Sequence, residues 1–239
     1  MKTRKLGLGG PEVSAIGLGG MSFAGFFGPT NKAESFECLD AARDHGITFL
    51  DTAEMYGKGL SEELIGEYQQ VRGHNFKIAT KGGIIIGGKR GETDNSEKAL
   101  RKALEGSLKR LRLEHVELYY IHRRDFSIEI EDVAVTLAKF KREGKIGGFG
   151  FSEIAPTSLR RAHAVHPVTA VQNEYSLWTR YPELGMLQTC RELGVTFVPF
   201  SPLARGMLTN SYPEPAKFPE TDFRKNMPRF LEPNFSANC

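Results

Sequence analysis

Phe49-Leu50-Asp51-Thr52-Ala53-Glu54-Met55-Tyr56-Gly57 sets a carboxylate at the end of a short apolar run and a phenol just beyond it. Residues 47–50 are apolar and β-prone, and the run stops at Asp51. Residues 61–70 read as a helix capped by Ser61, with Glu62 and Glu63 in its first turn. Asp51 and Tyr56 therefore fall on a strand-to-helix loop. Two later strands end in the same way: residues 76–80 close on Lys81, and residues 116–121 close on His122. Singly, these residues have bland readings as a turn cap, half-buried packing, a strand-end charge and a satisfied core histidine. Together, an acid, a phenol, an amine and an imidazole at successive strand ends make one constellation.

The rest of the chain alternates around that stretch. A hairpin is expected first, with arms 4–8 and 13–18 about a Gly9-Gly10-Pro11 turn. A strand near residues 15–20 is followed by a helix over 31–45, with Ala33, Phe36, Leu39 and Ala42 on one face and Gly46 as its stop. Further helices are expected over 96–111, 130–143, 156–165 and 183–193, and further strands over 146–151, 169–173 and 195–200. Leu100, Leu104, Leu108 and Leu111 form one apolar stripe. Seven β units joined by six helical crossovers result, with residues 209–239 Pro-rich and carrying neither helix nor strand.

Strands alternating with helices of this length run parallel and are covered on both faces, which fits a doubly wound sheet or a barrel. Polar groups of complementary chemistry on neighbouring strand ends favour the barrel. Parity agrees: Phe49 with Asp51, Ala79 with Lys81 and Tyr120 with His122 share the inward face. The expected fold is α/β, a TIM (β/α)8-type barrel with an N-terminal β-hairpin, its eighth unit missing, as a single domain over residues 1–239.

Composition bounds the function. The chain is 40% hydrophobic and 26% charged, with net charge +3 and scattered basic residues, so neither a nucleic-acid nor a membrane partner is expected. The N-terminus has no signal-peptide apolar run and a cytoplasmic setting is the default. Cys38, Cys190 and Cys239 are too few and too widely spaced for a disulfide framework or a zinc site. Residues 83–90 nearly spell a phosphate-binding loop, but Arg90 stands where a magnesium-binding hydroxyl is required, and no G-x-G-x-x-G occurs. His163 and His166 lack partners for a metal site, so no metal is expected. Arg123-Arg124 after His122 reads either as a solvated loop face or as part of a mouth that attracts anions.

The chain resembles the aldo-keto reductases written around Asp-Thr-Ala-x-x-Tyr-Gly, here residues 51–57. Thr80-Lys81-Gly82, Tyr120-Ile121-His122-Arg123, Gly150-Phe151-Ser152-Glu153, Val171-Gln172-Asn173-Glu174-Tyr175 and Ser201-Pro202-Leu203-Ala204-Arg205-Gly206 also match, so the likeness runs from Lys2 to about Phe230. It implies an eight-stranded barrel that reduces an aldehyde or ketone with hydride from NADPH, with Asp51, Tyr56, Lys81 and His122 catalytic. Tyr56 would be the general acid. A free phenol titrates near ~10, and the Lys81 ammonium, oriented by Asp51, would bring it lower. The resemblance further implies that Ser152 and Gln172 hold the nicotinamide carboxamide. Phe200 would stack on its face, and Ser201, Leu203 and Gly206 would lie on the loop cradling the pyrophosphate. Met21, Phe23, Phe26, Phe27 and Trp178 are candidates for an apolar substrate pocket. Relatives continue beyond the point matching Cys239 with the last unit and the loop for the adenosine 2′-phosphate. The chain is then expected to be either a fragment of a longer gene product or a protein with an open barrel, and the alternative to a reductase is a nucleotide-sensing or partner-binding module without turnover, or an inactive remnant.

Overall fold

The computed structural model describes residues 1–73, 76–89, 91–211 and 213–239. Strands β1 (Thr3–Lys5) and β2 (Glu12–Ser14) pair as an antiparallel hairpin. The chain then runs through β3 (Leu18–Gly19), α1 (Lys32–Asp44), β4 (Phe49–Asp51), α2 (Leu60–Arg72), β5 (Lys77–Gly82), α3 (Glu97–Leu111) and β6 (Val116–Ile121). It continues through α4 (Ile130–Arg142), β7 (Ile146–Ser152), α5 (Pro156–Val165), β8 (Ala170–Glu174), α6 (Met186–Leu193), β9 (Thr196–Phe200) and a terminal α7 (Asn234–Asn238). Strands β3 to β9 form one seven-stranded sheet in chain order, and every pairing is parallel.

The sheet is curled. Asp51 on β4 and Gln172 on β8 are four strand positions apart, about 19 Å in a flat sheet at ~4.8 Å per strand, yet their side chains meet at 2.7 Å. The inward residues expected from parity line the concave side: Phe49, Ala79, Leu118, Tyr120 and Ala170 cluster with Leu6 and Val13 of the hairpin. The hairpin plugs the N-terminal end of the strands, and Gly7 N donates to Thr196 Oγ1 at 2.7 Å. The outward residues of the same strands, among them Leu50, Ile78, Tyr119 and Val171, pack under the helices with Leu39, Leu104 and Leu137. Asn31 and Ser96 accept from the first turns of α1 and α3, so these two helices start where their caps place them.

Three expectations need correction. Ser61 does not cap α2: Gly59, at φ +99, precedes the helix. The buried Ser61 hydroxyl instead donates to Gly20 O at 2.8 Å and meets Thr52 Oγ1 at 2.9 Å. The helix expected over 183–193 is broken at Gly185 (φ +135) into a 3-10 turn, Tyr181–Leu184, and α6. Residues 209–239 are more ordered than their composition suggests. They form 3-10 turns at Pro215–Lys217, Phe223–Asn226 and Pro228–Phe230 before α7. This tail has its own apolar cluster of Ala204, Met207, Phe230, Trp178, Phe218, Met227 and Phe235.

Among the described residues no helix is long and apolar enough to cross a membrane, and no group of His, Cys, Asp and Glu suits a metal ion. Residues 83–89 lead into a short bridge, Ile84 with Thr93, rather than a helix; Arg90 lies outside the described residues.

Candidate active site

Lys81, near the end of β5, is fully buried. Its Nζ contacts Asp51 Oδ1 and donates to Thr52 O at 2.8 Å and to Tyr56 Oη at 3.3 Å. Three acceptors match the three protons of an ammonium. Burial alone pulls the Lys81 pKa down, but the charge of Asp51 and the contact with Tyr56 outweigh it and the net direction is up. Lys81 is therefore charged at neutral pH. Because Tyr56 Oη accepts from Lys81, its own proton is free to be donated elsewhere. Asp51 is held from its other side by Gln172 Nε2.

The loop that carries Tyr56 is tied back to the sheet, with Thr52 N donating to Ala79 O at 2.8 Å and Glu54 N to Lys81 O at 3.2 Å. Beyond Tyr56 the backbone is left-handed at Gly57, Lys58 and Gly59. Gly59, at φ +99, holds a conformation that favours glycine, and a Cβ there would stand 2.4 Å from Arg110 Cδ and displace that side chain. Arg110 in turn pairs with the buried Glu62 at 2.7 Å and with Glu54 at 3.5 Å.

His122 follows β6 and sets its ring edge-on to Tyr56, with centroids 5.8 Å apart and planes at 82°. Burial, then the charges of Lys81 and Arg123, push its pKa well below the usual value. At neutral pH it is an uncharged imidazole with one N–H to donate. Asp51, Tyr56, Lys81 and His122 thus converge at the C-terminal mouth of the sheet, where a proton donor, a buried cation behind it and a neutral hydrogen-bond donor beside it suit an oxygen that gains negative charge.

Ser152 and Gln172 lie side by side in register on β7 and β8. Both already have protein partners: Ser152 Oγ accepts from Arg123 Nη1 at 3.0 Å, and Gln172 donates to Asp51. Glu153, at φ +56, accepts from Glu174 N at 2.7 Å. Phe200 ends β9, and the loop after it turns through left-handed backbone at Ser201, Ala204, Arg205 and Gly206, leaving Leu203 exposed. Phe26 packs edge-on against Tyr56 at 5.9 Å. Phe223 of the tail packs against Phe26 and Phe27, at 6.1 Å and 5.1 Å.

Of the apolar pocket candidates, Met21, Phe26 and Phe27 are half-buried, whereas Phe23 is part of the core at 3% exposure. Trp178 belongs to the tail cluster, against Phe230. Sequence reasoning missed Thr52, whose carbonyl holds Lys81, and Phe223, for which no local pattern exists. It singled out Arg123 without placing it.

A model of the aldo/keto reductase family matches residues 15–238. The chain is 41% identical over 243 residues to an aldo-keto reductase of Schizosaccharomyces pombe whose name gives NADP(+), covering 99% of this chain and 71% of that protein. It is 42% identical to an aldo-keto reductase of Strobilurus tenacellus, over 98% of this chain and 71% of that one. Among solved structures it resembles a glycerol dehydrogenase of Gluconobacter oxydans, with TM-score 0.85 and 29% identity over 99% of this chain and 74% of that one. An aldo-keto reductase of Bacillus halodurans in its holo form is similar at TM-score 0.80 and 30% identity, over 90% of this chain and 70% of that one.

Proposed function

The chain belongs to the aldo/keto reductase family, and from that premise we propose that it reduces an aldehyde or ketone to the alcohol with NADPH, Tyr56 being the general acid. The observation that carries this reading is the Tyr56 hydroxyl accepting from a fully buried, charged Lys81, which leaves its own proton for another acceptor. The residues fit a nicotinamide dinucleotide in three respects. Gln172 and Ser152 supply side-chain polar atoms side by side, and Phe200 supplies a flat apolar face. The turn from Ser201 to Gly206, with Leu203 exposed and left-handed backbone at Ser201, Ala204, Arg205 and Gly206, would lie against the pyrophosphate, with Ala204 N and Gly206 N donating inside the turn.

NADPH, when bound, would supply a hydride for the carbonyl carbon. Tyr56 Oη donates its proton to the carbonyl oxygen, so that C=O becomes CH–OH. Lys81 stabilises the negative charge left on Tyr56 Oη, and Asp51 keeps Lys81 charged and aimed. His122, neutral, donates a hydrogen bond to the same carbonyl oxygen and orients it. A cytoplasmic setting accords with the three free thiols.

The test is NADPH oxidation by the purified chain with a reactive aromatic aldehyde, wild type beside Tyr56→Phe. The ring persists in the variant and only the proton donor is lost, so turnover should fall by at least about a hundredfold. Cofactor affinity, read by fluorescence titration, should stay within a small factor. Comparable turnover in the variant removes Tyr56 from its role, and NADPH binding without oxidation in the wild type favours a sensing module instead.

A further inference from the structure

Arg123 follows the strand-end His122 directly, and its guanidinium bridges the tops of two strands. Nη1 donates to His122 O at 2.6 Å and to Ser152 Oγ at 3.0 Å. Ser152 is paired in register with Gln172, which holds Asp51, so Arg123 stands at the rim of the catalytic mouth. It is half-buried, and among the described residues its Nε and Nη2 have no acceptor and no carboxylate lies within ion-pair distance. Neighbouring Arg124 has, among the described residues, no carboxylate within ion-pair distance, Glu131 acting on it only at longer range: Nη1 donates to Ser158 Oγ at 3.0 Å, Nε is buried without a hydrogen-bond partner, and the guanidinium lies 4.8 Å from the Phe126 ring centroid. Asp125, the next acid along the chain, accepts from the backbone and hydroxyl of Ser127.

Arg110, Arg205, Arg224 and Arg229 are also partly buried, and each holds a carboxylate. Withdrawing a guanidinium from water without a counter-charge is costly, and proteins pair such groups as a rule. Among the described residues Arg123, at the rim of the mouth, is left without such a carboxylate. The free edge of Arg123, Nε with Nη2, is the planar donor pair that a carboxylate accepts in bidentate fashion.

We propose that Arg123 receives a carboxylate carried by the carbonyl substrate, so that the chain prefers aldehyde or keto acids over neutral carbonyl compounds. This rests on the reductase reading above and deepens it to a substrate class. Arg124, alongside, adds positive potential that draws such an anion to the mouth.

The experiment measures kcat/KM of the purified chain, with NADPH, for succinic semialdehyde and for its methyl ester, which differ only in the charge. The acid should be favoured by about tenfold or more, mainly through KM, as a charge-assisted hydrogen-bonded pair provides. Arg123→Met should bring the acid-to-ester ratio close to one, while Arg123→Lys keeps part of it. A variant that merely folds poorly lowers both rates together and leaves the ratio where it was. The wild-type ratio is decisive without any variant: an ester reduced as well as the acid overturns the proposal and leaves the reductase reading standing. A raised KM for NADPH with an unmoved ratio also overturns it, assigning Arg123 to the cofactor. Failure to reduce either compound overturns the reductase reading, and the proposal with it.

Discussion

His122 is held neutral by its surroundings, through burial first and the Lys81 and Arg123 charges next. Its folded pKa lies below the unfolded value of about 6.5, so the unfolded chain binds the extra proton in acid. The stability cost is therefore absent above about pH 6.5 and grows as pH falls toward the folded pKa, by up to about 1.4 kcal/mol per unit. We expect wild type to lose stability faster than His122→Asn between about pH 6.5 and 5.5, because the variant has no group to protonate there. Denaturant midpoints of both chains at the two pH values check this, and a gap that does not change with pH would deny the buried neutral imidazole. Much at this scale is legible in the sequence. Asp51 ends β4, Lys81 is the last residue but one of β5 and His122 follows β6, all of matching parity, and the strand-to-helix loop delivers Tyr56. What is not legible depends on distant partners: Ser61 resembles a helix cap because nothing nearby reveals that its hydroxyl serves Gly20, 41 positions away. Arg123 likewise is only one of two adjacent cations until the missing counter-charge is seen.

One carboxylate joins three elements at the side of the mouth. Glu174, ending β8, accepts from both terminal nitrogens of Arg205 at 2.8 Å and 2.9 Å, from Arg229 at 3.0 Å and from Thr179 at 3.0 Å. It thereby fastens the turn after β9 and the tail to the sheet. Burial would raise its carboxyl, but the Arg205 and Arg229 charges and the hydrogen bonds hold it below the usual range. Arg224 extends the tie, pairing with the buried Asp222 and donating to Arg205 O at 3.0 Å. Glu174→Gln keeps the shape and removes the charge two guanidinia share, so it should cost about 1–3 kcal/mol, less than a fully buried pair because Arg229 is partly exposed. The loss should be local, with limited proteolysis cutting residues 209–239 sooner while residues 1–200 resist. Unchanged cleavage would mean that the Trp178, Phe218 and Phe230 cluster holds the tail by itself. Elements with a period and caps are readable beforehand, as α1 and α3 demonstrate. The tail is built from short 3-10 turns, two of them Pro-initiated, that have no period, and its order comes from rings far apart in sequence, such as Trp178 on Phe230.

For the whole molecule, the count and order of the parallel strands follow from the alternation of apolar runs and amphipathic helices, but the state of the sheet's margins does not, since every strand reads alike along the chain. In the structure β3 and β9 each have a single strand neighbour, and among the described residues nothing pairs with their outer sides. β9 is also the sheet's least covered long strand, with four residues half-buried and Pro199 exposed. Pro199 removes one donor, which edge strands tolerate and which blunts pairing at that point only. The tail lies over the mouth, through Phe223 on Phe26 and Phe27, and so leaves the length of the edge uncovered. Unpaired backbone groups beside half-buried apolar side chains are a template for association. The 239-residue chain should therefore self-associate through β9. Sedimentation velocity should give a weight-average mass that rises with concentration, and hydrogen exchange at residues 196–200 should slow over the same range. A monomer at every concentration, with those amides equally protected throughout, would place the closure of the sheet in contacts of the hairpin or tail rather than in a second copy.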